Sequence, residues 1–232
     1  MSYGFNIIAE GDYALFSRPE MKVERVSYDV PTVSALEGMI KGIYWKPSIR
    51  IVIDKIVVFN PIKFANIRRN ELKSKVIPRM DGTAERYASE ERTQRAGMIL
   101  KGVKYGVSFH IELTGLKSEH EDECEEKHYN IMLRRLKKGQ CFRQPCLGCR
   151  EFSVKRLELV EKFDLTEVDE SLKGDIDLGY MLYGLKFEDG GKPVNNDWDA
   201  PKFSDKADPM YYRPHMIDGV IDVAKYREGV VC

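Results

Sequence analysis

The sequence predicts an α+β fold, with a ferredoxin-like N-terminal domain over residues 1–162 and a small, mostly antiparallel β domain over residues 163–232. Three observations lead to this prediction. Extended and helical periodicities follow one another in the order β-α-β-β-α-β. The second helix has clear start and stop signals. After residue 163 the chain is rich in turn residues and short extended segments. A chain of 232 residues can bury a full core.

Apolar patterning places the elements of the first half. Residues 5–9, 13–16 and 23–28 read as strands. A helix then follows Thr32, a good N-cap, with apolar residues at helical spacing up to Ile43. The stretch 49–59 is rich in Ile and Val and predicts a buried strand that pairs with residues 103–113. Between these two strands, residues 61–102 are polar and basic with turn signals, which predicts a mobile basic flap.

The best-defined element is a helix over residues 125–138. Acidic residues open it, Lys and Arg close it, and Gly139 follows, as the helix dipole and a glycine C-cap favour. At 100° per residue, Tyr129, Met132, Leu133 and Leu136 form an apolar stripe. Lys127, Arg134 and Lys138 line the opposite side, while His128 and Arg135 share a flank. A strand over residues 154–160 completes the pattern, which RNA-recognition domains also use. Further strands are expected at 178–187 and within 210–226.

Formal net charge is zero, but the charges are segregated along the chain. Residues 127–150 contain seven Lys or Arg and no acid, and residues 63–79 contain six bases and one acid. Residues 119–126 and 164–177 contain six acids each. Such segregation predicts one positive face, suited to nucleic acid, and one face that repels phosphate. The chain has no basic leader and no apolar stretch of about 20 residues, so a cytoplasmic protein without a membrane partner is expected.

The pair Lys127-His128 is the strongest chemical signal. Histidine transfers protons near neutral pH, and concentrated positive charge stabilises the charge that builds up in phosphodiester cleavage. The alternative is a solvated helix end carrying an ordinary surface histidine. No paired carboxylates, Ser/His/Asp order or phosphate-binding glycine loop stands out. The chemistry is therefore expected to need no metal and no other cofactor.

Other residues predict contacts to RNA or remain ambiguous. Tyr44, Trp45 and Lys46 combine a phenol, a stacking surface and a cation, although core aromatics are an equal alternative. Arg68 and Arg69 suggest a phosphate clamp. The spacing of Cys141, Cys146 and Cys149 matches three ligands of plant-type [2Fe–2S] ferredoxins, but a fourth ligand would have to be Cys124 or Cys232. An iron–sulfur electron carrier is therefore a rival hypothesis.

Several strings together resemble the subtype I-C form of the fifth CRISPR-associated protein family, a repeat-RNA-processing branch of the RAMP superfamily. They lie at residues 11–14 (GDYA), 18–28 (RPEMKVERVSY), 43–47 (IYWKP), 66–71 (NIRRNE), 127–129 (KHY), 147–152 (LGCREF) and 177–183 (DLGYMLY). The resemblance runs over nearly the whole chain. It implies a ferredoxin-like domain, a glycine-containing loop after the second helix and a small β domain behind.

The resemblance also implies an activity: metal-independent cleavage of CRISPR precursor RNA at the base of the repeat hairpin, with the 5′ handle then held in the type I-C Cascade surveillance complex. The family's catalytic Tyr, Lys and His match Tyr44, Lys127 and His128. We expect RNA contacts from Trp45, Lys46, Arg68, Arg69, Arg134, Lys138 and Arg150, with nonspecific duplex DNA as a further partner. The rival hypothesis is a non-catalytic subunit that caps the 5′ handle.

Overall fold

A computed structural model describes residues 4–21, 23–73, 88–116, 124–198 and 200–232. In these ranges the chain forms a mixed α/β fold with a mostly antiparallel sheet and few helices. The strands are β1 Gly4–Ala14, β2 Arg25–Val26, β3 Ile49–Val58, β4 Phe64–Leu72, β5 Arg92–Leu113, β6 Arg156–Val160, β7 Asp175–Asp177, β8 Met181–Phe187, β9 Ala207–Tyr212, β10 His215–Ile217 and β11 Val220–Asp222. The α-helices are α1 Val33–Lys41, α2 Ala88–Glu91, α3 Glu125–Lys138 and α4 Val223–Tyr226.

The main sheet has the strand order β6-β1-β5-β3-β11-β10-β7. Its central pairs, β1 with β5 and β3 with β5, are antiparallel, as is β1 with β6. The predicted partnership of residues 49–59 with residues 103–113 is therefore confirmed. Strands from the C-terminal part continue the same sheet, because β11 pairs with β3. Within the described ranges, β8 and β9 form a separate two-stranded sheet.

Both long helices bury the residues that their periodicity predicts. In α1, the Thr32 side chain accepts a hydrogen bond from the Ala35 amide, and Leu36, Met39 and Ile40 are buried. In α3, Met132 is fully buried, and the rest of the predicted stripe packs against the core. Gly139 ends α3 at φ 62°, a left-handed conformation that glycine adopts without strain. The two helices thus attach to one hydrophobic core, which fixes their ends relative to each other.

The prediction of a loop over residues 61–102 is wrong for much of that stretch. Strand β4 pairs antiparallel with the first part of β5, from Phe64 opposite Leu100 to Leu72 opposite Arg92. The polar composition misled the prediction because a hairpin that extends beyond the core can have polar side chains on both faces. The turn signals near residues 78–82 lie outside the described residues. Two other expectations were too long: residues 13–16 belong partly to β1, and residues 23–28 contain only the short β2.

Candidate active site

Tyr44 is held in a tight turn that continues from the end of α1. The amides of Ile43 and Tyr44 both donate hydrogen bonds to the Ile40 carbonyl, at 2.8 and 3.2 Å. Gly42 permits this turn, since a Cβ there would lie 3.0 Å from the carbonyl oxygen of Met39. The Tyr44 side chain is consequently directed into the protein and is only 5% exposed.

His128 lies in the first turn of α3 and meets Tyr44 there. The Tyr44 hydroxyl is 2.8 Å from Nδ1 of His128, although the two residues are 84 positions apart in the chain. His128 is 1% exposed, so the alternative of an ordinary surface histidine is wrong. The sequence predicted both residues separately, and the structure joins them by a hydrogen bond.

This hydrogen bond couples the protonation states of its two partners. If the phenol donates, Nδ1 of His128 is the acceptor and the ring proton sits on Nε2. If Nδ1–H donates, Nε2 carries the lone pair and the Tyr44 hydroxyl hydrogen is free to point elsewhere. Because Nε2 of His128 is buried, the pair meets the cleft through Tyr44.

Arg135 holds Tyr44 from a second direction. It lies two turns after His128 on the same flank of α3, and its Nη1 donates to the Ile43 carbonyl at 2.6 Å. Its guanidinium carbon is 5.1 Å from the centroid of the Tyr44 ring, a cation–π distance. The sequence analysis placed Arg135 beside His128 but did not include it among the site residues. The shared flank was the available signal.

The remaining predicted residues of α3 differ in exposure. Lys127 is half-buried immediately before His128, whereas Arg134 and Lys138 are exposed. The helix therefore presents cations to solvent on one side and the buried His128 and partly buried Arg135 on another. Only the second side contacts Tyr44.

A cleft of about 700 Å³ opens beside this pair. It is lined by Lys41, Tyr44, Trp45, Lys46, Pro47, Arg135, Phe142 and Arg143. Four of these eight residues are Lys or Arg and none is acidic. Trp45 is 49% exposed, which contradicts the alternative of a core aromatic for this residue, whereas Tyr44 is buried. Tyr44 thus contacts His128 and also lines the cleft.

The hairpin residues Arg68 and Arg69 point to opposite faces of β4. Arg68 is exposed, while Arg69 forms an ion pair with Glu151. Glu151 also lies 3.7 Å from Arg25, which in turn pairs with Glu71 at 3.0 Å. The two arginines that the sequence treated as one clamp therefore have different environments.

Arg150 is exposed on the loop that follows α3, next to Gly148. Gly148 has φ 86°, and a Cβ there would lie 1.9 Å from the Leu15 carbonyl oxygen. The backbone on each side is tied down, because the Leu15 amide donates to the Leu147 carbonyl at 3.1 Å. The loop glycine thus permits close packing against the backbone that directly follows β1.

All five cysteines are free thiols, and burial raises the pKa of Cys149. Across the described ranges, no cluster of three or more His, Cys, Asp or Glu side chains is arranged to hold a metal ion. The same ranges contain no helix of the length and apolarity needed to cross a membrane.

Comparisons with known proteins agree with this architecture. The sequence model of the family described as CRISPR-associated protein (Cas_Cas5), in its Cas5d form, matches residues 8–224. The CRISPR pre-crRNA endoribonuclease Cas5d of Mannheimia succiniciproducens is 40% identical over 228 residues, covering 93% of this chain and 92% of the relative. The protein of the same name from Thermus thermophilus is 35% identical, covering 94% and 91%.

A solved structure extends the likeness to three dimensions. The crystal structure of a functionally uncharacterized protein from Streptococcus mutans superposes with a TM-score of 0.63 at 27% identity, covering 95% of this chain and 91% of that one. The fold and the matched range define the chain as a CRISPR-associated protein. It belongs to the Cas5 family, in the Cas5d branch.

Proposed function

We propose that this protein is a metal-independent endoribonuclease that cuts CRISPR precursor RNA at the base of the repeat hairpin. Its relatives from Mannheimia and Thermus are named pre-crRNA endoribonucleases, and the alignment with this chain covers more than 90% of their length. The single observation that carries the proposal is the 2.8 Å hydrogen bond between Tyr44 and His128, beside a cleft lined by cations. An RNA-binding surface alone would need the cations but not the buried acid–base pair.

In the proposed reaction, a ribose 2′-OH attacks its own 3′ phosphate. The products are a 2′,3′-cyclic phosphate and a 5′ hydroxyl, so one proton leaves the nucleophile and one reaches the leaving oxygen. Tyr44 lines the cleft and would exchange a proton with the RNA, while His128 behind it accepts or returns that proton through Nδ1. Lys127 would stabilise charge on the phosphorane. Such acid–base work contributes on the order of 10²–10⁴ in rate.

A second group of side chains is proposed to bind the RNA backbone or bases outside the reacting phosphate: Trp45, Lys46, Arg68, Arg134, Lys138 and Arg150. Arg69 is a weaker member of this group because Glu151 already pairs with it. Residual positive charge would also attract duplex DNA without sequence preference. These contacts would leave the 5′ handle bound after cleavage, ready for the other subunits of a type I-C complex.

The βαββαβ unit is proposed to be ferredoxin-like. Strands β1, β3, β5 and β6 stand in the order β6-β1-β5-β3, all neighbours are antiparallel, and α1 and α3 form the two connections. We further propose that residues 1–162 form the catalytic domain and residues 163–232 a small β domain that is joined to it through β11. Free thiols at all five cysteines support the proposal of a reducing, cytoplasmic setting.

The test is incubation of the pure protein with hairpin repeat RNA in excess EDTA. We expect one cut at the hairpin base, a cyclic phosphate on the upstream product and no cleavage of RNA with a 2′-deoxy group at the scissile nucleotide. Activity that disappears with EDTA and returns with magnesium would contradict the mechanism. Wild-type protein that binds the hairpin and never cuts it would favour the second candidate, a subunit that caps the handle.

A further inference from the structure

The loop after α3 places an unusually exposed aromatic residue over the cleft. Phe142 is 87% exposed, the largest exposed fraction given for any large hydrophobic residue among those the structure describes. A single exposed aromatic residue is ordinary on a protein surface, whereas aromatic residues grouped in one cleft mark a binding site. Trp45, 49% exposed, lines the same cleft.

Phe142 is held in place by its backbone. The amides of Phe142 and Arg143 both donate to the Gly42 carbonyl, each at 3.0 Å. Gly42 itself closes the turn that positions Tyr44. The backbone that carries Phe142 is therefore anchored to the turn that carries Tyr44.

The cleft has the chemistry of a nucleotide site. Two aromatic side chains are accompanied by Lys41, Lys46, Arg135 and Arg143, and no carboxylate belongs to the lining formed by the described residues. Its volume of about 700 Å³ falls within the roughly 300–1,000 Å³ of small-ligand sites. Aromatic rings beside cations bind single-stranded bases through stacking, because every base has a π-face and every phosphate a charge.

We propose that this cleft binds one unpaired nucleotide next to the scissile phosphate, with its base stacked on Phe142 and close to Trp45, and its phosphate beside Arg143. The inference rests on the proposed function, since it places that nucleotide relative to Tyr44. It adds a requirement: the RNA must present an unstacked base immediately beside the cleavage point. A base locked in the hairpin stem cannot enter the cleft.

The experiment measures binding to 2′-deoxy hairpin RNA, which is not cut, so its outcome does not depend on catalysis. Single abasic positions are scanned across the nucleotides that flank the scissile bond, with wild-type protein and with Phe142→Ala. One abasic position is expected to weaken binding roughly 10-fold, and Phe142→Ala to weaken it by a similar factor on intact RNA. On RNA abasic at that position, Phe142→Ala should have no further effect. Phe142→Leu should bind like Phe142→Ala, and Phe203→Ala is the control for loss of an exposed aromatic elsewhere.

Trp45 supplies a second readout. The chain has two tryptophans, so Trp198→Phe leaves Trp45 as the only indole. Its emission should be quenched by intact RNA and remain unquenched when the critical base is missing. Additive losses for Phe142→Ala and every abasic position would overturn the proposal, even if wild-type protein cuts hairpin RNA. An RNA affinity that Phe142→Ala does not change would also overturn the proposal and would favour a contact between Phe142 and a protein subunit. If Phe142→Ala and one abasic position are coupled in a protein that never cuts RNA, the nucleotide-binding cleft is supported and the proposed nuclease activity is contradicted.

Discussion

The two basic segments of the sequence behave differently once folded. Around α3, cations surround the buried hydrogen bond between Tyr44 and His128, and Arg135 contacts a carbonyl and an aromatic ring. On the β4–β5 hairpin, Arg69 pairs with Glu151 of the loop after α3 and Arg95 with Glu71, while Arg25 of β2 lies near both carboxylates. A count of Lys and Arg treats both segments as sites for phosphate. The comparison teaches that available charge depends on what the fold places opposite it.

The strongest test of this contrast concerns the Tyr44–His128 pair. Tyr44→Phe and His128→Asn should each lower the single-turnover cleavage rate by about 10² or more, since each interrupts proton transfer. If the two residues act in series, the double variant should be no slower than the slower single variant. Asn at position 128 keeps a hydrogen-bonding group for the buried phenol, which limits destabilisation. His215→Gln is the matched histidine control.

Hairpin binding should survive in these variants, because they leave all seven basic residues of segment 127–150 in place. Circular dichroism melts establish that each variant is folded. A His128→Asn protein that cuts at the wild-type rate would remove His128 from the mechanism. Losses that multiply in the double variant would show that Tyr44 and His128 act independently.

The next prediction compares neighbours on α3. Arg135→Ala removes the hydrogen bond to the Ile43 carbonyl and the contact with the Tyr44 ring. The cleavage rate should fall roughly 10-fold, because one cation–π contact and one charged hydrogen bond are lost at a partly exposed position. The exposed Arg134→Ala should mainly weaken binding. The pH–rate profile separates positioning from simple loss of charge, since a displaced phenol should shift it. Equal effects of both substitutions on rate and pH profile would reject a positioning role for Arg135.

Two arginines on β4 make a smaller but sharper comparison. Arg68→Ala should reduce the salt slope of RNA binding by about 0.7–0.9, the value for one lost phosphate contact. Arg69→Ala should change it less, since Glu151 already neutralises that guanidinium. The measurement is Kd for hairpin RNA between low and moderate salt. A larger slope change for Arg69 would mean that RNA displaces Glu151 from the pair.

Much of the scaffold was predictable from sequence because local patterns encode it. Helix α3 is indicated by acidic residues at its start, basic residues at its end and Gly139 after it. The observed range 125–138 is the predicted one. Thr32 capped α1 as expected. The hairpin was not predictable in this way, because its strands alternate between exposed and half-buried positions instead of between polar and apolar ones.

The site was predictable in its members but not in its contacts. Lys127-His128 and Tyr44 could be singled out by residue type, yet 84 positions separate the partners of the central hydrogen bond. Phe142 was missed altogether, because an aromatic residue in a loop has no periodic signal that distinguishes exposure from burial. Its backbone is positioned by hydrogen bonds from the Phe142 and Arg143 amides to the Gly42 carbonyl, which only the folded chain reveals.

The smallest expected effect concerns another exposed ion pair, between Asp177 and Arg213, at 2.5 Å. The hydrogen bond from Arg213 lowers the pKa of Asp177 to about 2. An unfolded aspartate titrates at ~3.9, so the contribution of Asp177 to stability is present above that pH and is lost as pH falls toward 2.

Asp177→Asn removes the charge and leaves an oxygen for the Gly179 amide. The Tm of the variant should therefore be slightly lower than wild type at pH 7 and should converge with it near pH 2. Because the pair is exposed, the gap should be small and should shrink in high salt. A gap that stays constant with pH would show that packing, and not charge, accounts for it.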